Sequence, residues 1–442
     1  MRWEDLLIAQ RTGKQTPRME HSRTEFMRDY DRIIFSAPFR RLQNKTQVFP
    51  LPGAVFVHNR LTHSIEVASV GRSLGRSVAE ELTRRGVMSA EMAMSISDIV
   101  SAASLAHDMG NPPFGHSGEK AIQAFFREGA GQKLQTHLSP DFWNDLIHFE
   151  GNANAFRLLT HRFHGRREGG FVMTYAMLAS IVKYPFESHW AGTHGKFGFF
   201  CTERESFVRI ATELGIRRLS AEGEPLRYAR HPLVYLVEAA DDICYEIMDI
   251  EDSHKLKILS YEETADLFLS FFDEETRRNI QQRAKDEGVS DENEEIVYMR
   301  ACVIGKLENE CAKAFCDHEE EILDGTFEGS LIDHITPEVR DAYRRCQKLS
   351  VRKIYNSKPV LDVELSGYKI METLMETLVD AACRPDNYHS KQLIRRFSSQ
   401  YDIESEDLET RIMAVIDFIS GMTDIFALDF YQKINGTSLP IV

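Results

Sequence analysis

Apolar residues recur at three- and four-residue spacing over most of this chain, the period of a helix with one buried face. The clearest run begins at Thr62 or His63 and carries Val67, Val70, Leu74, Val78 and Leu82 before Gly86 closes it. Met92, Ile96, Ile99, Val100 and Ala103 lead a second helix into His107, and a third, starting near Ser117, stacks Ile122, Phe125 and Phe126. Upstream, Ser22 and Glu25 have the spacing of a capping box that opens a segment through about Leu42, interrupted at Pro38. A long apolar helix is predicted from His231-Pro232 to about Asp249. Residues 192–210 are Gly-interrupted and read as a loop or short hairpin, and the acidic stretch from Lys285 to Glu295 reads as a mobile loop. Helices resume over 296–323, 336–350, 361–383, 389–399 and 405–433, the last closing at Gly436. There is no internal repeat and strands are few, so the expected class is all-α.

Composition narrows this frame without changing it. The 442 residues are 43% hydrophobic and 27% charged, enough for one large or two ordinary globular domains. No apolar run is long enough for a membrane span, and Met-Arg-Trp-Glu-Asp at the start does not read as a signal peptide. Seven cysteines without a CxxC pair point to a reduced, cytoplasmic setting with the thiols as small buried hydrophobes. A formal charge of −15 argues against wholesale coating of nucleic acid. A polyphosphate ligand would need its countercharge concentrated in one pocket.

The chemistry gathers at Ser104-Leu-Ala-His-Asp-Met-Gly-Asn-Pro-Pro-Phe-Gly-His116. Adjacent helical side chains diverge by about 100°, so His107 and Asp108 converge on one point only near a helix end, and Pro112-Pro113 supplies that end. His63 upstream and Asp241-Asp242 downstream complete a set of two imidazoles and carboxylates. A carboxylate within the apolar run Val234-Tyr-Leu-Val-Glu-Ala-Ala-Asp-Asp-Ile is costly unless paired or metal-bound, and an Asp–Arg ion pair is the alternative. Tyr245 and Asp249 follow Asp241 at +4 and +8 on one stripe, which favours Asp241 over Asp242. Such a donor set suits one divalent ion, with Mg or Mn first and Fe, Co, Ni or Zn also compatible. His116 and Glu119, at i and i+3 on a new helix, have the spacing of a proton-transfer pair; a capping contact by Glu119 is the alternative.

Several ordered segments carry a family resemblance. They are Asp31-Arg-Ile-Ile-Phe-Ser, Phe39-Arg-Arg-Leu-Gln-Asn-Lys-Thr-Gln-Val-Phe-Pro50, Asn59-Arg-Leu-Thr-His-Ser-Ile-Glu66, His107 to Glu119, Phe149-Glu-Gly-Asn-Ala, Lys183-Tyr-Pro185 and Glu238-Ala-Ala-Asp-Asp-Ile243. With Val363 to Tyr368 and Phe418 to Asp424, they resemble the bacterial dGTP triphosphohydrolase branch of the HD superfamily. One departure stands in Phe149 to Asn154, where Asn154 occupies a position the family commonly fills with Gln.

The resemblance implies an all-α HD phosphohydrolase core with an N-terminal arm over 1–255 and a C-terminal helical region over 256–442 packed on it. It implies hydrolysis of a dNTP to deoxynucleoside and triphosphate with one divalent metal. It also implies a homo-oligomer, often a hexamer, and an activating nucleotide or single-stranded DNA as effectors. Carried onto this sequence, His63, His107, Asp108 and Asp241 match metal ligands, and His116 with Glu119 matches the catalytic pair. Gln47, Val48 and Asp249 match sugar contacts, and Tyr245 matches the ring beneath the deoxyribose. Arg60, Lys183 and Lys196, with Tyr184 beside them, match the phosphate-binding positions. Without the resemblance the two lysines read as ordinary solvated charges. Two rivals remain: another HD phosphohydrolase, such as a nucleotidase or single-strand nuclease, and a nucleotide-binding regulator without turnover. Base preference stays open, with Glu364 as a candidate.

Overall fold

A computed structural model describes residues 1–13, 23–49, 57–286 and 288–438. Regular structure among them is helical. Among the described residues extended pairing is reduced to four isolated bridges, one of them Thr46 with Asn59, so the few expected strands are single contacts there. No helix among the described residues is long and apolar enough to cross a membrane.

Local chemistry sets the helix boundaries. Ser22 lies outside the described residues, and α1 (Glu25–Ile34) is capped by Thr24, whose hydroxyl accepts from the Met27 amide at 3.1 Å. Ser36 then caps α2 (Ala37–Arg41), with Pro38 in the first turn, where its missing N–H removes no helical bond. The helix expected to open at Thr62 or His63 begins earlier. In α3 (Arg60–Arg84) Asn59 and Thr62 exchange side-chain and backbone hydrogen bonds in a capping box. α4 (Ala90–Ala106) packs along α3 and delivers His107 at its C-terminal end.

The turn beyond Pro113 is built from two left-handed residues, Phe114 at φ 62° and Gly115 at φ 55°. Such a backbone disfavours a phenylalanine by about 1 kcal/mol or more. It is held because the Phe114 amide donates to Asp424 at 2.9 Å. α5 (Gly115–Arg127) therefore starts two residues before the expected Ser117. α6 (Gly151–Thr160) is capped by Glu150, and α7 (Val234–Lys255) is the predicted long apolar helix, one and a half turns longer than expected at its C-terminus.

Three expectations change. Residues 192–210 form two short 3-10 turns, Gly192–His194 and Cys201–Glu203, and then enter the helix Arg204–Glu213. The acidic stretch 285–295 contains the end of Glu274–Asp286 and the start of Glu292–Asp317, leaving a short link. Its carboxylates read as loop composition, but Asp291 caps the second helix, and Glu292, Glu294 and Glu295 face the positive end of its dipole. The run 405–433 is broken after Gly421, because Thr423 caps a separate helix, Asp424–Ile434.

The remaining C-terminal elements include Pro337–Leu349, which runs into a π-turn, Ser350–Ile354, then α8 (Lys358–Cys383) and α9 (Leu408–Ser420). Two apolar cores result. One joins α3, α4 and α7 through Val67, Leu74, Ile96, Ile99 and Ile243. The other joins α5, α8 and α9 through Ile122, Phe126, Leu374 and Ile416. The seven cysteines are free thiols.

Candidate active site

Four side chains from three helices meet where α3, α4 and α7 approach one another. Ligating atoms of His63, His107 and Asp108 lie within 4.8 Å of one another. Asp241 Oδ1 is 3.0 Å from His63 Nε2 and 3.5 Å from His107 Nε2. Asp241, not Asp242, is the carboxylate in contact with the two imidazoles. His63 and Asp108 are buried, while the Asp241 side chain is 31% exposed and opens the group to solvent.

The donors are arranged for a cation. His107 Nδ1 lies 2.6 Å from the Ser104 carbonyl, a contact that turns Nε2 toward the carboxylates, and Nε2 is buried with no hydrogen-bond partner. Burial alone would lower the His107 pKa, but Asp108 and Asp241 outweigh it and raise it to about 9. Burial likewise opposes the Asp108 charge, yet Arg60, His107 and His63 hold its pKa below the usual carboxylate range. This pocket demands positive charge, and its two imidazoles and two carboxylates fit one divalent ion. Asn111 Nδ2 and Arg60 Nη1 bind the two oxygens of Asp108, the latter at 2.7 Å, and fix the carboxylate in place.

Beside this group lies a cleft of about 480 Å³, bordered by Gln47, Val48, Arg60, His116, Lys196 and Tyr245. His116 is the exposed member, its side chain 69% accessible. Its Nδ1 lies 2.9 Å from Glu119 Oε2, and the other oxygen of Glu119 accepts from the Gly151 amide at 2.8 Å. Burial works against the Glu119 charge, but His116, Lys196 and the Gly151 amide more than offset it and lower its pKa. The ring is thus anchored at one nitrogen and open at the other.

Of the predicted sugar contacts, Gln47, Val48 and Tyr245 border the cleft together with Tyr355, and Asp249 does not. Tyr245 stands edge-on to His63, 6.4 Å between ring centroids, and 6.0 Å from Tyr355. Asp249 is buried and accepts the Tyr355 hydroxyl at 3.0 Å. Gln47 Oε1 is buried with no hydrogen-bond partner, an acceptor that a ligand hydroxyl could meet.

The predicted phosphate cations are distributed less simply. Arg60 is buried against Asp108; Lys183 pairs with Glu238 at 3.0 Å and Lys196 with Glu150 at 2.7 Å. Lys183 also sits 5.9 Å from the Tyr184 ring centre. Both lysines are fixed by carboxylates rather than solvated, and Lys183 and Tyr184 do not border the cleft. Asn154, the departing position, donates to the Gly110 carbonyl at 2.6 Å and ties α6 to the segment after Asp108.

Sequence reasoning missed Asp424, which accepts from Phe114 and, at 2.8 Å, from the Thr46 amide next to Gln47. It also missed Tyr355, placed by the π-turn. The only signal for Asp424 was its membership in the segment Phe418 to Asp424.

A helical core with a buried His, His-Asp and Asp group at its helix junction defines an HD-type protein. The HD domain model matches residues 60–141, and that of the phosphohydrolase-associated domain matches residues 334–433. A Pseudomonas aeruginosa protein named deoxyguanosinetriphosphate triphosphohydrolase-like is 37% identical over 450 residues, covering 100% of both chains. One of the same name from Synechocystis is 36% identical, over 99% of this chain and 100% of its own. A Yersinia enterocolitica protein named deoxyguanosinetriphosphate triphosphohydrolase is 29% identical over 92% of this chain and 93% of its own. The chain belongs to the dGTP triphosphohydrolase family of HD-domain hydrolases.

Proposed function

We propose that this protein hydrolyses deoxynucleoside triphosphates at the α-phosphate, releasing deoxynucleoside and inorganic triphosphate. The observation that carries the reading is the anchored, solvent-facing His116 in the same cleft as the wall of Gln47 and Tyr245, beside the His63, His107, Asp108 and Asp241 group. The names of the relatives agree with it.

A divalent ion, Mg or Mn, held by those four side chains would supply the positive charge that polarises the phosphoryl group. The chain's own residues divide the remaining work. Water adds to the α-phosphorus and the P–O5′ bond breaks, so one proton must leave the water and one must reach O5′. His116 exchanges a proton with the reacting oxygens at its free ring nitrogen, while Glu119 fixes the ring and stabilises its charged form. Arg60, paired with Asp108, and Lys196, 3.9 Å from Glu119, balance charge developing on the triphosphate, and Lys183 is the third proposed phosphate cation. Tyr245 and Tyr355 pack against the sugar, and Gln47 Oε1 accepts its 3′ hydroxyl. Asp249 holds Tyr355 in that wall. Glu364 borders the cleft and is the proposed contact for the base.

The test is purified protein with Mg or Mn against each dNTP and GTP, singly and mixed, with products resolved by chromatography. Triphosphate and deoxynucleoside from dNTPs, and none from GTP, are expected. Stepwise loss of phosphate would assign another phosphohydrolase, and binding without product a regulator.

A further inference from the structure

A second polar cavity, of about 160 Å³, lies where α2 and Lys45 meet the ends of α6 and α9. Arg41, Lys45 and Arg166 line it, with one carboxylate, Asp417, opposite. Asp417 is already engaged, because its two oxygens accept from Arg157 Nε and Nη2 at 2.8 Å each. Neither Arg41, Lys45 nor Arg166 has an ion-pair partner among the described residues.

Lys45 is 2% exposed, and its ammonium donates to the carbonyls of Asn111 and Ser420, which leaves one N–H unused. The Ser420 hydroxyl, in a residue 4% exposed, is buried without any hydrogen-bond partner. Arg41 is half-buried and Arg166 stands exposed at the mouth. Burial, with Arg166 nearby, pushes the Arg41 guanidinium down; burial, together with Arg41 and Arg60, pushes the Lys45 ammonium to about 7 against the opposing pull of Asp424 and Asp108. A buried ammonium and a half-buried guanidinium without an ion-pair partner, and an unsatisfied hydroxyl, are each costly. Here they line one space of about 160 Å³. Three cationic side chains and one free hydroxyl around a single space suit a tetrahedral oxyanion.

We propose that this cavity binds one inorganic phosphate ion per chain, held by Arg41, Lys45, Arg166 and the Ser420 hydroxyl. The site is separate from the active cleft, whose bordering Arg60 and Lys196 are matched to Asp108 and Glu150. Lys45 also holds the Asn111 carbonyl, and Asn111 binds Asp108. The bound ion therefore steadies the segment that follows His107-Asp108.

Equilibrium dialysis of the full chain with radiolabelled inorganic phosphate tests the proposal, beside thermal unfolding in phosphate and in chloride of equal ionic strength. Arg41→Met is expected to weaken binding at least tenfold, and Ser420→Ala to weaken it several-fold. A Lys183→Met/Lys196→Met control, which disables the cleft, should keep the site. In phosphate-free buffer Arg41→Met should melt at or above the parent, since it removes a half-buried charge that has no carboxylate partner; phosphate should raise the melting points of the parent and of the lysine control but not that of Arg41→Met. Binding that survives Arg41→Met but is lost in the lysine control overturns the proposal. So does a phosphate response no larger than that to chloride, or an Arg41→Met variant less stable than the parent without phosphate.

Discussion

Asp424→Asn is the most informative single perturbation of this molecule. The Asp424 carboxylate is 6% exposed and accepts from two backbone amides, Phe114 at 2.9 Å and Thr46 at 2.8 Å, each on its own oxygen. The asparagine amide has one carbonyl oxygen, so one N–H would face an NH2 group and lose its acceptor. A hydrogen bond to a charged group contributes about 1.5–3 kcal/mol, and a buried orphan amide costs about 1–3 kcal/mol. The two effects together predict a loss of about 3–5 kcal/mol. At about 2.1 cal/mol/K per residue, a chain of this length unfolds with an entropy near 0.9 kcal/mol/K, so Tm should fall by about 3–5 °C. Activity should suffer more than stability. The left-handed Phe114 sets the start of α5, and with it His116; Thr46 sets Gln47. A displacement of about 1 Å in such groups costs on the order of a hundredfold in rate. Differential scanning calorimetry, metal content by mass spectrometry and dNTP turnover read the three consequences separately. The expected result is a lower Tm, a kcat reduced by about one to two orders of magnitude, and unchanged metal stoichiometry. A kcat equal to the parent's, with Tm within about 1 °C, would refute the reasoning.

Three further outcomes are expected. His116→Ala should abolish turnover while the protein still binds its metal, whereas Asp108→Ala should lose both; metal analysis beside the chromatographic assay separates them, and full metal content in Asp108→Ala would remove it from the ligand set. Arg157→Met strands the buried carboxylates of Asp417 and Glu203, which now bind the guanidinium at 2.8 Å and 2.6 Å, and should cost about 3–5 kcal/mol, read as a lower urea midpoint. His231, 1% exposed, contacts the Leu6 carbonyl at Nε2 and accepts from the Leu233 amide at Nδ1, and burial pushes its pKa down to about 4. Since the unfolded imidazole titrates near 6.5, the unfolded state binds the extra proton between those values. This contribution to stability is complete above about pH 6.5 and is lost as pH falls toward 4, by about 3 kcal/mol in all; urea midpoints at pH 7 and pH 4.5 should converge more in His231→Gln than in the parent.

How far this molecule was legible in its sequence depended on the range of the interaction. Helix interiors announce themselves through the 3.6-residue period, and those of α3, α4 and α7 follow it. Their ends obey side-chain chemistry at single positions. Asn59 and Thr24 took caps that the pattern assigned two to four residues away, and a carboxylate-rich stretch turned out to hold a helix start at Asp291. The grouping of His63, His107, Asp108 and Asp241 was visible because each is chemically out of place in its own helix. Lys183 and Lys196 carried no such mark: nothing local tells a solvated lysine from one fixed by Glu238 or Glu150. Tyr355 owes its place to a π-turn whose residues, Ser350–Ile354, have no period of their own.

The site also explains why the chain is so much longer than its HD segment. Residues 60–141 supply His63, His107, Asp108, His116 and Glu119, yet nothing within that span completes the quartet or the cleft. Asp241 arrives on α7, Lys196 and Glu150 from the middle of the chain, and Tyr355 from the π-turn. Asp424, from within the phosphohydrolase-associated segment, holds the Phe114 turn in its left-handed form. That turn needs an acceptor for a buried amide, and the amide lies 310 residues from its partner. The long-range pairing costs chain entropy that a local cap would avoid, but it makes the placement of His116 depend on the C-terminal helices being docked. Catalytic geometry and the packing of α5 against α8 and α9 are therefore one structural event, and a variant that loosens the C-terminal region should lose turnover before it loses its metal.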